Sequence, residues 1–226
     1  MAFSTTICYD KKVKKILLKI GGIAFLFSLI ANVYFVAQKQ KEMTVVEVSD
    51  GDTFQLASGK RVRLMGVDAP EFERCLGKEA KQKLAGLILN KKVGLKEEVK
   101  EAYGRSLALV YLDGKLINKI ILENGFGRTD YRKNSQRDVL TAAFHSAQKQ
   151  KIGIWSQMCR DTASKLAPVN CLIKGNIDPA TYEKFYHYPG CSHYEQIIIE
   201  KDRGEQYFCT EEEAKAAGFK KAAGCN

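Results

Sequence analysis

Between Thr44 and Val67 the chain has almost no choice of fold. "TVVEV" (44–48), "TFQLA" (53–57) and "RVRLMGV" (61–67) read as strands, and only "SDGD" and "SGK" separate them. Connections this short join strands antiparallel, because a parallel return needs a crossover of about a dozen residues or more. The segment is therefore an antiparallel meander, with Phe54 and Leu56 on one face. Asp50-Gly51 is ordinary turn chemistry. Asp52, on the far side of the glycine, is surplus to a turn, and the pair of acids implies a positive charge nearby.

The pattern then alternates. Lys78 to Leu89 places Ala80, Leu84, Leu87 and Ile88 at helical spacing. "VGLKEEV" (93–99) and "SLALVYL" (106–112) predict two more strands, joined by a loop that carries Tyr103, Gly104 and Arg105. A short helix with Leu116, Ile117, Ile120 and Ile121 on one side ends at Asn124-Gly125. A third helix starts near Ser135, with Asp138 completing a capping box, and turns Leu140, Ala143, Phe144 and Ala147 inward as far as about Gln150. Trp155 closes the unit. Five short strands and three helices predict a β-barrel plus α class, a small closed barrel with helices over its open flank. The predicted organisation is this domain at 43–160, a linker at 161–169 and a small Cys-rich module at 170–226.

Ahead of the barrel, Ile20 to Ala37 carries no charge. As a helix it would span about 27 Å, close to the hydrocarbon thickness of a bilayer. Lys11, Lys12, Lys14 and Lys15 precede it, and fewer cations follow. That asymmetry predicts a cytoplasmic N-terminus (1–15), a transmembrane signal anchor (16–38) and the following domain outside the cell membrane. The competing reading is a signal peptide cleaved after Ala37 and a secreted product; Phe35 then stands where a small residue is wanted. The net charge of +10 favours a polyanionic partner. The sequence implies no protein partner.

Asp52, Asp68 and Glu71 (in "GVDAPE") place three carboxylates at the ends of neighbouring strands. Hard divalent cations want oxygen ligands, and two aspartates with a backbone carbonyl and waters make an open Ca²⁺ site. Arg63, within the third strand, and Arg105, in "YGR", offer planar forks suited to phosphate oxygens. A cation, a spare carboxylate as base and two arginines are what phosphodiester hydrolysis requires. Singly, each piece has an ordinary structural use: a turn, a proline-stopped strand end, a solvated arginine.

Together "DGDTF", "RVRLMGVDAPE", "KEAK", "YGRSLALVYLDGKLINKIILENGFGRTDY" and the closing "GIW" resemble the staphylococcal nuclease-like, or thermonuclease, family over about residues 43–159. The resemblance implies an OB-fold five-stranded barrel and Ca²⁺-dependent hydrolysis of DNA and RNA that leaves 3′-phosphate ends. By that resemblance Asp52, Asp68 and the Ala69 carbonyl hold the metal, and Asp50 stands behind them. Glu71 is the general base, Arg63 and Arg105 hold the scissile phosphate, and Tyr103 and Tyr131 flank the nucleotide. The chain departs from the family in having Ala69 where close members carry threonine, and in a short segment after Glu71 that contains Cys75. One rival reading keeps the barrel as a catalytically inactive nucleic-acid-binding module at the cell envelope. A second makes the tail the binding part of an envelope interaction protein.

Outside the cytoplasm the six cysteines beyond Cys8 read as disulfides. Cys75 and Cys159 are expected to form one bridge. Cys171, Cys191, Cys209 and Cys225 allow three pairings, with Cys171–Cys209 preferred. Zinc, with His187 and His193, is the alternative, although no C-x-x-C pair is present. The tail pattern "KGNI … YH.PG … YFC … EA..AG" resembles a small module found after such nuclease domains, and that likeness assigns it no function.

Overall fold

The structure is a computed structural model that describes residues 19, 22, 25–34, 38, 42–101, 104–130, 132–161 and 170–225. Tyr103, Tyr131, residues 162–169 and much of the expected anchor at 16–38 lie outside the described residues. Residues 25–34 are helical. Among the described residues no helix is long and apolar enough to cross a membrane.

The meander forms as β1 (Val45–Val48), β2 (Thr53–Leu56) and β3 (Arg61–Leu64), each antiparallel to the next. Helix α1 (Gly77–Ile88) follows, then β4 (Gly94–Lys100) and β5 (Ser106–Leu112). β5 returns beside β3 in parallel, with Arg63 opposite Leu107. This is possible because α1 and β4 supply the crossover length. A two-residue β6 (Lys115–Leu116) pairs with β5 and runs into α2 (Ile117–Glu123). The last helix of this unit is α3 (Arg137–Gln150).

Three details correct the expected barrel. The sheet has six strands rather than five, in the order β1-β2-β3-β5-β4 with β6 on β5. It is not a closed barrel. Among the described residues the β1 edge and the segment leading into β4 meet through a Thr44–Lys92 bridge and the hydrogen bonds from the Val45 N–H to Lys91, the Asn90 N–H to Val45 and the Val93 N–H to Met43. Register shifts at Val45/Glu47 and at Lys96/Val99 interrupt the β1–β2 and β4–β5 ladders. The capping box at Ser135 is also absent. The Ser135 N–H donates to the Glu97 carboxylate at 3.0 Å, the Gln136 N–H donates to Asn134 Oδ1, and α3 starts at Arg137 without a side-chain cap.

The core lies between sheet and helices. Phe54, Leu56, Val62, Leu64 and Leu109 meet Leu84 and Ile88 of α1, Ile117 and Ile121 of α2, and Leu140 of α3. These are the inward positions of the 2- and 3.6-residue periods, and each buried large side chain contributes about 1.5–3 kcal/mol. Asn118 is the polar tie within this core. Its Oδ1 accepts the Val110 N–H, and its Nδ2 donates to the Met65 and Ala108 carbonyls.

The C-terminal segment has its own four-stranded sheet, in the order β11 (Gln206–Phe208), β8 (Ile173–Ile177), β9 (Lys184–His187), β12 (Lys220–Lys221). Helix α4 (Glu211–Ala216) carries the reciprocal cap that α3 lacks: Thr210 Oγ1 accepts the Glu213 N–H, and the Glu213 carboxylate accepts the Cys209 N–H. Ile173, Tyr186, Phe208, Ala214 and Phe219 form its core. Disulfides join Cys171 to Cys209 and Cys191 to Cys225, so no tail thiolate is left for zinc.

The segment is attached to the first unit. Cys159 is bonded to Cys75, and this 84-residue separation corresponds to about 4–5 kcal/mol in the chain-entropy model. β7 (Arg160–Asp161) pairs with β10 (Ile199–Glu200), and the Lys201 N–H donates to the Cys159 carbonyl. Asp161, assigned to the linker from sequence, is thus a strand residue.

Buried Glu205 accepts the Ile177 and Glu200 N–H groups. Burial pushes its carboxyl up to about 7 from an ordinary 4.5, against the pull of those two hydrogen bonds. The folded chain therefore holds a proton that the unfolded chain has released. Stability from this group is present below about pH 4.5 and is lost as pH rises through about 7, by about 3 kcal/mol. Urea unfolding across this range should show a negative contribution to the slope of stability with pH, so that Glu205→Gln makes the slope less negative; an unchanged slope would contradict this assignment.

Candidate active site

The site begins at the β1–β2 turn. The Asp50 carboxylate accepts the Asp52 N–H at 2.9 Å and the Ser49 N–H donates to the Thr53 carbonyl, so the turn turns back on itself. Gly51 sits against Ala69 and Ala80; a Cβ there would lie 2.7 and 2.6 Å from their methyl carbons. Only glycine lets this turn touch α1 and the segment after β3 together. That close approach drives Asp52 inward, leaving it 2% exposed.

Every Asp52 oxygen is engaged. Oδ1 accepts the Thr53 hydroxyl at 2.7 Å, and Oδ2 accepts the Ala69 N–H at 3.0 Å and pairs with Arg63 Nη2 at 2.9 Å. Burial pushes its carboxyl up to about 7, opposed by the Arg63 charge and assisted by the neighbouring Asp50. Asp68 reaches the same Arg63 nitrogen, at 2.6 Å, from the end of β3. Its backbone is held by a two-way bond with Arg128, each N–H donating to the other's carbonyl at 2.8 Å. Burial alone would lower the Arg63 pKa; the carboxylates of Asp52, Asp68, Asp50 and Glu101 reverse this and hold it above its usual value.

Glu71 follows Asp68 by three residues and is exposed. Its backbone is fixed: its carbonyl accepts the Arg74 N–H, and Gly77 packs so closely on it that a Cβ would lie 2.0 Å from the Glu71 oxygen. Among the described residues its carboxylate has no hydrogen bond or ion pair. A placed backbone with an uncommitted, solvated carboxylate suits proton transfer from a water. Arg105 is committed elsewhere, to Glu101 at 3.0 Å, and Glu101 also pairs with Arg132 at 3.3 Å. Beside Glu71 the ring of Phe72 is 43% exposed, with Lys78 and Lys81 ammonium groups 5.3 and 5.6 Å from its centroid.

The donor set can be tested against a cation. Among the described residues no three His, Cys, Asp or Glu side chains cluster as a metal site. The fit rests on two carboxylates, Asp52 and Asp68, that already converge on one positively charged nitrogen, with Ala69 against Asp52. Two anionic oxygens on one positive point, with no nitrogen or sulfur donor, suit a hard ion such as Ca²⁺ completed by water. The residues therefore fit the ion, and Arg63 occupies the counter-charge position.

The structure thus brings Asp50, Asp52, Arg63, Asp68 and Ala69 together and places Glu71 after them. It leaves Arg105 on Glu101 and does not describe Tyr103 or Tyr131. Glu101 was legible as an i, i+4 acid before Arg105 in "EAYGR" and was not singled out. Arg128 carries no local signal, since its bond to Asp68 is a backbone one.

Residues 61–157 match the family model described as "Staphylococcal nuclease homologue". The chain is 33% identical over 124 residues to an uncharacterized endonuclease of Haemophilus influenzae, covering 53% of this chain and 69% of that one. It is 32% identical over 116 residues to an uncharacterized endonuclease of Escherichia coli O157:H7 (50% and 75%), and 30% identical over 125 residues to a micrococcal nuclease of Shigella flexneri (50% and 72%).

Gly51→Ala should destabilise the chain by about 1–3 kcal/mol, because the added methyl would meet buried Ala80 of α1 and Ala69, whose amide is tied to Asp52. A shift of the urea midpoint at constant slope would carry this; an unchanged midpoint would show the turn has room to give.

Proposed function

The chain belongs to the family of staphylococcal nuclease homologues, and from that membership we propose a nuclease that hydrolyses phosphodiester bonds of DNA and RNA with Ca²⁺ and little sequence preference. The observation that carries this reading is the convergence of Asp52 and Asp68 on Arg63, with Glu71 exposed three residues beyond. Asp52, Asp68 and the Ala69 carbonyl would hold the cation, which when bound supplies positive charge at the phosphate oxygens.

The chain's own groups do the rest. Arg63 and Arg105 bind phosphate oxygens and stabilise the charge that grows on them as water attacks. Both must first leave carboxylate partners, Arg63 from Asp52 and Asp68, and Arg105 from Glu101. Glu71 accepts the proton of the attacking water. Asp50 holds the Asp52 amide and adds negative charge behind it. Tyr103 and Tyr131 are proposed to flank the nucleotide. A net charge of +10 gathers the strand, so the rate should fall as salt rises.

We further propose that residues 16–38 tether the enzyme, with its N-terminus in the cytoplasm and the nuclease outside. Three disulfides among the described residues support an oxidising location.

Digestion of single-stranded DNA tests the mechanism. Cutting should require Ca²⁺ and stop with chelator, and Glu71→Gln should lower kcat by about 10²–10⁴-fold. Equal cutting in all three conditions would discard it; retained DNA binding with no cutting would favour an inactive capture module. Glu101→Gln, which releases Arg105 and Arg132, should lower KM several-fold with little change in thermal stability. A raised KM would mean that Glu101 positions Arg105 productively.

A further inference from the structure

Arg128 does two things at once. Its backbone holds the Asp68 backbone by two 2.8 Å hydrogen bonds. Its guanidinium is clamped by the C-terminal segment: Nε and Nη2 donate to the two oxygens of Asp202 at 2.8 and 3.1 Å, and Nη2 lies 3.2 Å from the Glu200 carboxylate. The partners are built for this. Asp202 is 4% exposed. Arg128 stacks on Trp155 at 4.5 Å, and Arg160 lies over the same ring at 5.2 Å while pairing with Glu200 at 2.8 Å. β10 is laid against β7, and the Cys75–Cys159 bridge anchors the same end of the first unit.

We propose that the C-terminal segment is a positioning element of the active site: Asp202 and Glu200 fix Arg128, and Arg128 fixes Asp68 for the cation. A bidentate pair to a buried carboxylate sets both the depth and the rotation of the guanidinium. The backbone of the same residue cannot then drift without breaking that pair. Asp68 itself is exposed at its carboxylate and gains its placement from the backbone bridge and from Arg63. Residues 170–225 thereby act at a distance on a group that they do not touch. The inference rests on the proposed role of Asp68, but its physical half, the hold on the 68–128 bridge, does not.

The test uses the full chain with Asp202→Asn, and Asp202→Glu as the conservative variant. Amide hydrogen exchange reads the bridge without metal or substrate, with Leu109 and Val110 of β5 as internal reference. Asp202→Asn should speed exchange at the Asp68 and Arg128 amides by at least about tenfold relative to β5. The Ca²⁺ concentration for half-maximal cutting should rise about tenfold, KM for single-stranded DNA should hold, and Asp202→Glu should restore part of both. Exchange unchanged at Asp68 and Arg128, or raised equally at β5, would overturn the proposal. If the chain cuts nothing at all, the nuclease reading fails while the exchange result still decides whether the clamp exists.

Discussion

Two carboxylates meet on one nitrogen of Arg63, and one of them is almost entirely withheld from water. A buried carboxylate costs several kcal/mol unless its oxygens are all engaged. Around Asp52 this is met in three ways: the Thr53 hydroxyl, the Ala69 amide and the Arg63 guanidinium. Each donor comes from a different stretch of chain: the β2 start, the segment after β3, and β3 itself. Keeping Asp52 inside therefore fixes how the turn, the strand and the post-strand segment meet. The upward-shifted carboxyl shows that even so the charge is held at a cost, which a bound cation would relieve.

The same constraint runs outward. Asp68 shares Arg63 and is set by Arg128, and Arg128 is set by Glu200 and by Asp202, the latter 74 residues away in sequence. Arginine suits this post because its fork is rigid and stays charged when buried. Removing its acidic partners would strand a largely buried cation against Trp155, so the two halves of the chain share an electrostatic need as well as a strand pair. The C-terminal sheet has its own core and two bridges of its own.

What was readable in the sequence follows from range. Ser106–Leu112 was legible as a strand because an apolar run of strand length follows a glycine-containing loop, and α1 because Ala80, Leu84 and Ile88 repeat at one helical face. "DGDT" and "DAPE" announced the acids because turn chemistry alone does not need them. The Cys75–Cys159 and Cys171–Cys209 pairs were expected; Cys191–Cys225 follows once the latter is made. Local competition defeated the capping box, since Glu97 took the Ser135 amide that Asp138 would have accepted, and Asn134 took the Gln136 amide beside it. The open edge between β1 and β4, joined by one bridge and a few backbone hydrogen bonds, is likewise a long-range outcome that no periodicity announces. The Arg128–Asp202 clamp joins residues too distant for any spacing rule, and the partner that Glu101 gives Arg105 was visible only as a helical-type spacing in a loop.

Asp52 and Asp68 are proposed to act on one cation as a pair. Calorimetric titration of the full chain with Ca²⁺ addresses it most directly, comparing the parent with Asp52→Asn and Asp68→Asn. The account predicts a single binding event at this site that either substitution removes. Binding that survives both substitutions, or survives one of them undiminished, would contradict it.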